Sequence, residues 1–404
     1  MKFSVLLPTR NRLELLKYAV ETVRRQDYDD WELIISDNFS DDDIVGYVCS
    51  LNEPRIKYFR TESFVPVTDN WNNALYKATG EYIIMLGDDD CLMKGYFSKI
   101  RQLIETYSNP DFIYTSAYLY SYPGVMPNYP DGFLHLYDYA SFFRSSKEPF
   151  LLNKNTAIEL VRQSMNLNMS FTYNMQHSII SRIFIDSLGS KGYFFQSPYP
   201  DFYATNVIFL MAKRILIYPI PIVTIGISQK SFGYYFFNNQ EKLGVDFLKN
   251  LPNIEHSNKI KHILLPGSYN TTFWLLAMEA IKENYGSEFN LRVSYRTYRF
   301  KQILYMFTGY FRNNTVSKSE FHEFIRKINT LEKLTYGISL YTAYKLANII
   351  PNDLRLALNK LFVNTFLGDL HLKEAKKHNE FKNILEVFVN VNPFESTETT
   401  PSAI

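Results

Sequence analysis

Short apolar runs and helical stripes alternate over the first 120 residues. "KFSVLLP" is a compact apolar run stopped by Pro8 and reads as a strand. In "RLELLKYAVETVRRQ", Leu13, Leu16, Ala19, Val20 and Val23 recur at helical spacing. "WELIIS" is a second strand, and "SDDDIVGYVCSL" opens on Ser40 and three acids, the chemistry of a helix start. "RIKYFR" alternates with period two, "TDNWNNALYKATG" is a capped helix ended by Gly80, and "EYIIML" is a further strand. "KGYFSKIRQLIETY" then reads as a helix and "DFIYTSAYLY" as a strand.

Alternation at this pace predicts βαβ units and a mostly parallel sheet flanked by helices. Such sheets bind ligands beyond the carboxyl ends of their strands. "PTRNR", "SDNFSDD" and "GDDDCL" all fall at strand ends, so the fold should gather them on one rim. From about residue 240 the pattern turns helical, with "SYNTTFWLLAMEAIKENY", "KSEFHEFIRKINTLEKL", "NDLRLALNKLFVNTFL" and "LKEAKKHNEFKNILEVFVNV". "GISQKSFGYYFFNN" reads as the junction. The expected organisation is an α/β domain over 1–235, a helical domain over 236–390 and a polar, disordered tail over 391–404.

With 404 residues the chain exceeds what one core usually serves. Lys plus Arg number 43 against 41 acids, for a net charge of +2, so nothing global favours nucleic acid. Cys49 and Cys91 make no disulfide framework, the N-terminal apolar run is too short for a signal peptide, and no stretch offers about 20 apolar residues. The expectation is a cytoplasmic protein, with peripheral contact at the inner membrane face. Neither GxGxxG nor GxxxxGK[ST] occurs, which argues against dinucleotide oxidoreductases and P-loop enzymes.

The acidic triplet Asp88, Asp89 and Asp90 follows a buried strand. Adjacent buried carboxylates raise one another's pKa, and a hard divalent ion relieves them while bridging to phosphates. Capping of the next helix is the plainer alternative. The blocks "SVLLPTRNR", "WELIISDNFSDDD", "NWNNALYKATGEYIIML" and "GDDDCL" resemble, in order and spacing, the nucleotide-sugar domain of inverting glycosyltransferases of family 2, the GT-A fold. The resemblance is specific over about residues 1–100 and fades by about 235.

That resemblance implies a nucleoside diphosphate sugar donor, with UDP favoured, and an Mn²⁺ or Mg²⁺ ion. It assigns the nucleotide to Pro8, Thr9, Arg10, Asn11, Asp37, Asn38, Asn72, Asp88 and Asp89, and the metal to Asp88, Asp89 and Asp90. Asn38 stands where a second acid is common, and Gly87 where many relatives carry another Asp. An inverting transfer needs a base to take the acceptor's proton. The family places it about 100 residues beyond the acidic motif, which points to Asp201 in "SPYPDFYATN", with Asp186 the lesser candidate. His177 falls in the segment that lines the acceptor side in the family. Gln229, Lys230 and Ser231 would close over the diphosphate.

The implied partner is a glycan or lipid-linked acceptor in surface polysaccharide synthesis. "SYRTYRFKQILYMFTGYFRNN" mixes basic and aromatic residues and would suit an anionic membrane or simply pack on the catalytic domain. Self-association through the helical region is a further expectation. Two other classes stand beside this one. A sugar-phosphate nucleotidyltransferase would carry a Gly-rich first loop, which "PTRNR" lacks. A scaffold with an inactive transferase domain would not need the acidic triplet or Asp201.

Overall fold

Strand β1 (Phe3–Thr9) lies inside a mixed sheet flanked by β2 (Trp31–Asp37) and β4 (Tyr82–Met85). The computed structural model describes residues 1–126, 129–138, 140–144, 146–238, 259–347 and 381–394. The sheet runs β3-β2-β1-β4-β9-β6-β10-β5, where β3 is Ile56–Arg60, β5 Cys91–Leu92, β6 Phe112–Ser121, β9 Ser178–Ser181 and β10 Ile215–Ile227. Two short strands complete it: β7 (Phe133–Tyr137) pairs with β6, and β8 (Phe150–Leu152) with β10.

The β3-β2-β1-β4 half is parallel, as the alternation predicts. Beyond it β6 and β10 are parallel to each other and run the same way as β4, so the expected mostly parallel sheet holds, with β9 inserted between β4 and β6 against both. The cause is where the chain enters and leaves. Gln176 reaches Asp90 at the rim just before β9, and Arg182 just after it donates to the Ala78 and Gly80 carbonyls at the far end. A strand that starts at the rim must run opposite to β4.

Helices α1 (Leu13–Arg24), α2 (Ile44–Ser50), α3 (Val67–Lys77) and α4 (Tyr96–Thr106) follow the predicted stripes. Asp43, not Ser40, caps α2, while Ser40 Oγ accepts from the Asn11 amide. Helices α5 (Lys154–Met165), α6 (Arg182–Ser187) and α7 (Pro200–Met211) come later. α7 is apolar all round and buried over most of its length, as a helix enclosed on every side must be.

One core cluster includes Leu6, Ile34, Phe112 and Ile217 of the sheet, with residues of α3, α5 and α7. It also contains Trp274, Leu275, Met278 and Ile281 of the long helix Tyr269–Phe289. The expected domain break at 236 therefore does not divide the core. Among the described residues, the helices Tyr295–Thr308 and Lys318–Lys327 and their surroundings carry a small cluster of their own, around Ile303, Phe307 and Phe324. The second large cluster joins α1 and α4 to Ile384, Val387 and Phe388 of the helix Ile384–Asn390.

The C-terminal segment thus returns to the first domain, contrary to the expected boundaries. Lys94 Nζ donates to the Val389 carbonyl at 2.6 Å, and the Phe394 ring lies against Gly95. The expected tail beyond 394 and the stretch "NDLRLALNKLFVNTFL" lie outside the described residues. Among the described residues no helix is long and apolar enough to cross a membrane.

Candidate functional site

The rim gathers three segments that the sequence places far apart: residues 9–12 after β1, the triplet after β4, and residues 226–231 at the end of β10. Their bonds are specific. Thr9 Oγ1 donates to Asp88 Oδ2 at 2.7 Å, and Arg12 Nη1 to Asp88 Oδ1 at 2.7 Å. Ser228 Oγ donates to Asp89 Oδ2 at 2.7 Å. Asp90 accepts from the Gly87 and Gly226 amides, each at 2.8 Å, and from Gln176 Nε2 at 2.8 Å.

Two glycines permit this closeness. A Cβ on Gly87 would strike the Asp90 carboxylate, and one on Gly226 would overlap the Asp89 carbonyl. Residues 226–231 also lean on the first loop. Arg12 Nη2 meets the Lys230 carbonyl, and Lys230 Nζ donates to the Asn11 carbonyl at 2.6 Å. The sequence anticipates that Lys230 belongs here but gives no sign of Ser228, Gln176 or Arg12 as partners of the triplet. Strand β10 also escaped notice, because Pro219 and Pro221 interrupt its pattern. They fall in the stretch of irregular register between Tyr218 and Thr224, after which the strand delivers Gly226 and Ser228 to the acids.

All three aspartates are buried. Burial raises the Asp89 pKa despite Arg12, and burial with the neighbouring Asp89 lifts Asp90 to about 8. The triplet is not a loosely held loop awaiting an ion, since protein donors meet each carboxylate. Asp90, with two backbone amides and Gln176 on its oxygens, fixes the loop.

Among the described residues no three acids, histidines or cysteines are grouped so as to hold an ion. Mg²⁺ and Mn²⁺ sites commonly use one or two carboxylates completed by phosphates and water. Asp88 and Asp89 fit that pattern: both are buried, Arg12 pairs with Asp88, and Asp89 has a hydroxyl as its side-chain partner. They would hold the ion, which would neutralise charge on a leaving diphosphate.

The nucleotide candidates divide. Pro8 and Thr9 end β1, and Asn11 sits in the left-handed region (φ 53°), where it pairs with the Asp41 amide and side chain. Arg10 stacks its guanidinium 3.6 Å from the Phe64 ring centroid. Asp37 is fully buried and accepts from the Ser40 amide and from Tyr58 Oη at 2.7 Å. The Asn38 side-chain amide pairs with both the N–H and the C=O of Val65.

Asn72 is tied to the loop before α7. Its side chain donates to the Phe195 carbonyl at 2.9 Å and accepts from the Phe195 amide at 3.1 Å. Asn70, read as a cap or exposed residue, is the one that reaches the strand end, through Ser36. Thr68 Oγ1 adds a 2.6 Å bond to the Ser197 carbonyl. Helix α3 therefore ties the end of β2 to the loop that leads into α7.

That loop presents Asp201. Pro200 occupies the first turn of α7 and Asp201 follows it, where the helix dipole favours a carboxylate. Its Oδ1 accepts from the Phe202 amide at 3.0 Å. Burial outweighs that bond and lifts the acid to about 7. From the other side, Asn284 of the helix Tyr269–Phe289 donates to Gln196 and to Tyr203 Oη. The lesser candidate, Asp186, is exposed on α6.

His177 is not a surface residue of an acceptor pocket. It is fully buried, with Nδ1 2.7 Å from the Thr115 carbonyl and its ring stacked on Tyr114. Because a carbonyl only accepts, Nδ1 carries the proton. Burial drives its pKa down to about 4, so it is a neutral core residue.

Residues 4–166 match the family described as Glycosyl transferase family 2. The GalNAc(5)-diNAcBac-PP-undecaprenol beta-1,3-glucosyltransferase of Campylobacter jejuni is 40% identical over 104 residues, which is 25% of this chain and 34% of that one. The putative colanic acid biosynthesis glycosyl transferase WcaA of Escherichia coli is 35% identical over 137 residues, 31% of this chain and 48% of that one. The chain thus spans about a third to a half of the length of these two relatives. Among solved structures, S. aureus TarS 1-349 in complex with UDP-GlcNAc aligns at a TM-score of 0.46 with 15% identity, covering 75% of this chain and 80% of that one.

Proposed function

With residues 4–166 a glycosyl transferase family 2 domain, we propose that this chain is a glycosyltransferase. It moves a sugar from a nucleoside diphosphate donor, UDP favoured, to a hydroxyl of a glycan or lipid-linked acceptor. The observation that carries the reading is the convergence of buried acids with the first loop on one rim, joined through α3 to a carboxylate titrating near 7. The relatives point the same way. Those from Campylobacter jejuni and Escherichia coli named for diphosphoundecaprenol-linked glycans are beta-1,3-glucosyltransferases.

In this reading the transfer is a direct displacement with inversion. Asp201 takes the proton from the acceptor hydroxyl as its oxygen forms the bond to the anomeric carbon. The bond to the diphosphate breaks, and that group leaves with the electron pair. A carboxylic acid near pKa 7 is matched to this work, since it accepts a proton readily yet is about half ionised at neutral pH. Asp88 and Asp89 would hold the divalent ion, which supplies charge neutralisation at the diphosphate. Thr9 and Arg12 set the orientation of Asp88, and Asn72 and Thr68 that of the Asp201 loop.

A panel of nucleotide sugars, each incubated with Mn²⁺ and a diphosphate-lipid-linked glycan, tests the proposal by the appearance of free nucleoside diphosphate and elongated glycan. Formation of pyrophosphate from a nucleoside triphosphate and a sugar phosphate, with no transfer from any donor, would replace it with a nucleotidyltransferase.

A further inference from the structure

Asp88, Asp89 and Asp90 are buried together, and Arg12 makes an ion pair with one of them, Asp88. The Arg12 side chain is itself largely buried, at 12% exposure. Asp88 Oδ2 is held by Thr9, Asp89 Oδ2 by Ser228, and both oxygens of Asp90 by backbone amides. A cation shared between Asp88 and Asp89 would compete for Asp88 with Arg12 on Oδ1 or with Thr9 on Oδ2.

A bound Mg²⁺ sits about 2.0–2.1 Å from its oxygen ligands. A guanidinium hydrogen-bonded to the same oxygen would then stand beside a dication, and the two repel strongly in a buried setting. The ion and the guanidinium compete for Asp88, and their repulsion weakens the Arg12–Asp88 pair. Arg12 immediately precedes α1, next to the first loop, so a released guanidinium stays at the rim.

We propose that Arg12 is the resident counter-ion of Asp88, that the divalent ion displaces it, and that the freed guanidinium then holds a diphosphate oxygen of the donor. This rests on the donor and cation reading given above. A planar guanidinium offers the two-pronged geometry that phosphate oxygens accept. The exchange couples the two ligands: the ion opens Asp88, and the donor gives Arg12 a new partner.

The test measures Mn²⁺ uptake by electron paramagnetic resonance and UDP binding by calorimetry on the full chain, R12K and R12Q. Loss of a charged hydrogen-bond competitor predicts that R12Q takes Mn²⁺ alone about tenfold more tightly than the parent. Loss of the diphosphate contact predicts UDP binding about tenfold weaker at saturating Mn²⁺. R12K keeps the charge and should stay within about threefold of the parent for Mn²⁺. A general loss of structure would weaken both ligands, so the opposite signs identify the exchange.

Mn²⁺ affinity unchanged or reduced in R12Q overturns the Arg12 assignment alone. No Mn²⁺ uptake by the parent, with or without UDP, overturns the cation reading as well. Should R12Q not fold, a crystal structure of the unaltered protein with Mn²⁺ and UDP decides. Arg12 beyond hydrogen-bond reach of Asp88 and on a diphosphate oxygen supports the exchange, and a persisting Arg12–Asp88 pair overturns it.

Discussion

Replacing Asp201 with Asn separates the chemistry of this carboxylate from its effect on the fold. Burial at the start of α7 lifts the acid from 3.8 to about 7. A difference of about three pH units corresponds to roughly 4 kcal/mol. The side chain is half-buried, and solvent screening reduces the realised value to about 1–2 kcal/mol. The folded pKa lies above the unfolded one, so the fold prefers the protonated acid. Its contribution is full below about pH 4, declines as pH rises, and is lost above about 7.

Asparagine stays neutral throughout. D201N should match the parent near pH 4 and exceed it by about 1–2 kcal/mol at pH 8, measured by urea unfolding at the two pH values. The same change should lower the transfer kcat by about 10²–10⁴ while donor affinity holds. In the parent, kcat should rise with pH to a plateau above about 7. Transfer at the parental rate by D201N refutes the base assignment. An equal stability difference at both pH values refutes the burial argument.

Asn72→Ala removes both bonds to the Phe195 backbone. It should lower kcat about tenfold and leave the donor Kd within about twofold, read by single-turnover kinetics and calorimetry. At the far end of β2, burial would raise the Glu32 carboxyl, but bonds from Lys57, Ser4, the Thr79 amide and Lys2 hold it at about 2. Its contribution is full above about pH 4.5 and lost as pH falls toward 2, so Glu32→Gln should cost about 2 kcal/mol at pH 7 and less in acid, measured by chemical unfolding. Phe388 is buried against the first domain, and Phe388→Ala should cost about 3 kcal/mol in thermal unfolding, an effect that a helix not packed on that core would not show.

Much of the first half was legible because local rules and tertiary structure agree there. "SVLLP", "WELIIS" and "EYIIML" are buried parallel strands, and the polar ends that follow them meet on one rim because parallel strands share a direction. Where they disagree, reading along the chain failed. Asn70 and Asn72 lie two residues apart on α3, yet helical geometry turns one to Ser36 and the other to Phe195. His177 and Gln176 are adjacent, but Gln176 reaches the acid and His177 enters the core. Sequence spacing carried no signal for Ser228 or Gln176 as partners of the triplet.

By itself the sequence determined the alternation of strands and helices, the polar strand ends and the family of residues 4–166. Each follows from period, turn chemistry or a local motif. Only the tertiary structure decided the direction of β9, the return of the C-terminal helix to the first core and the division of labour among the three aspartates. These depend on which distant groups become neighbours when the chain closes. Adjacent acids of identical chemistry are told apart only by the donors that folding places against them: a guanidinium for Asp88, a hydroxyl for Asp89 and backbone amides for Asp90.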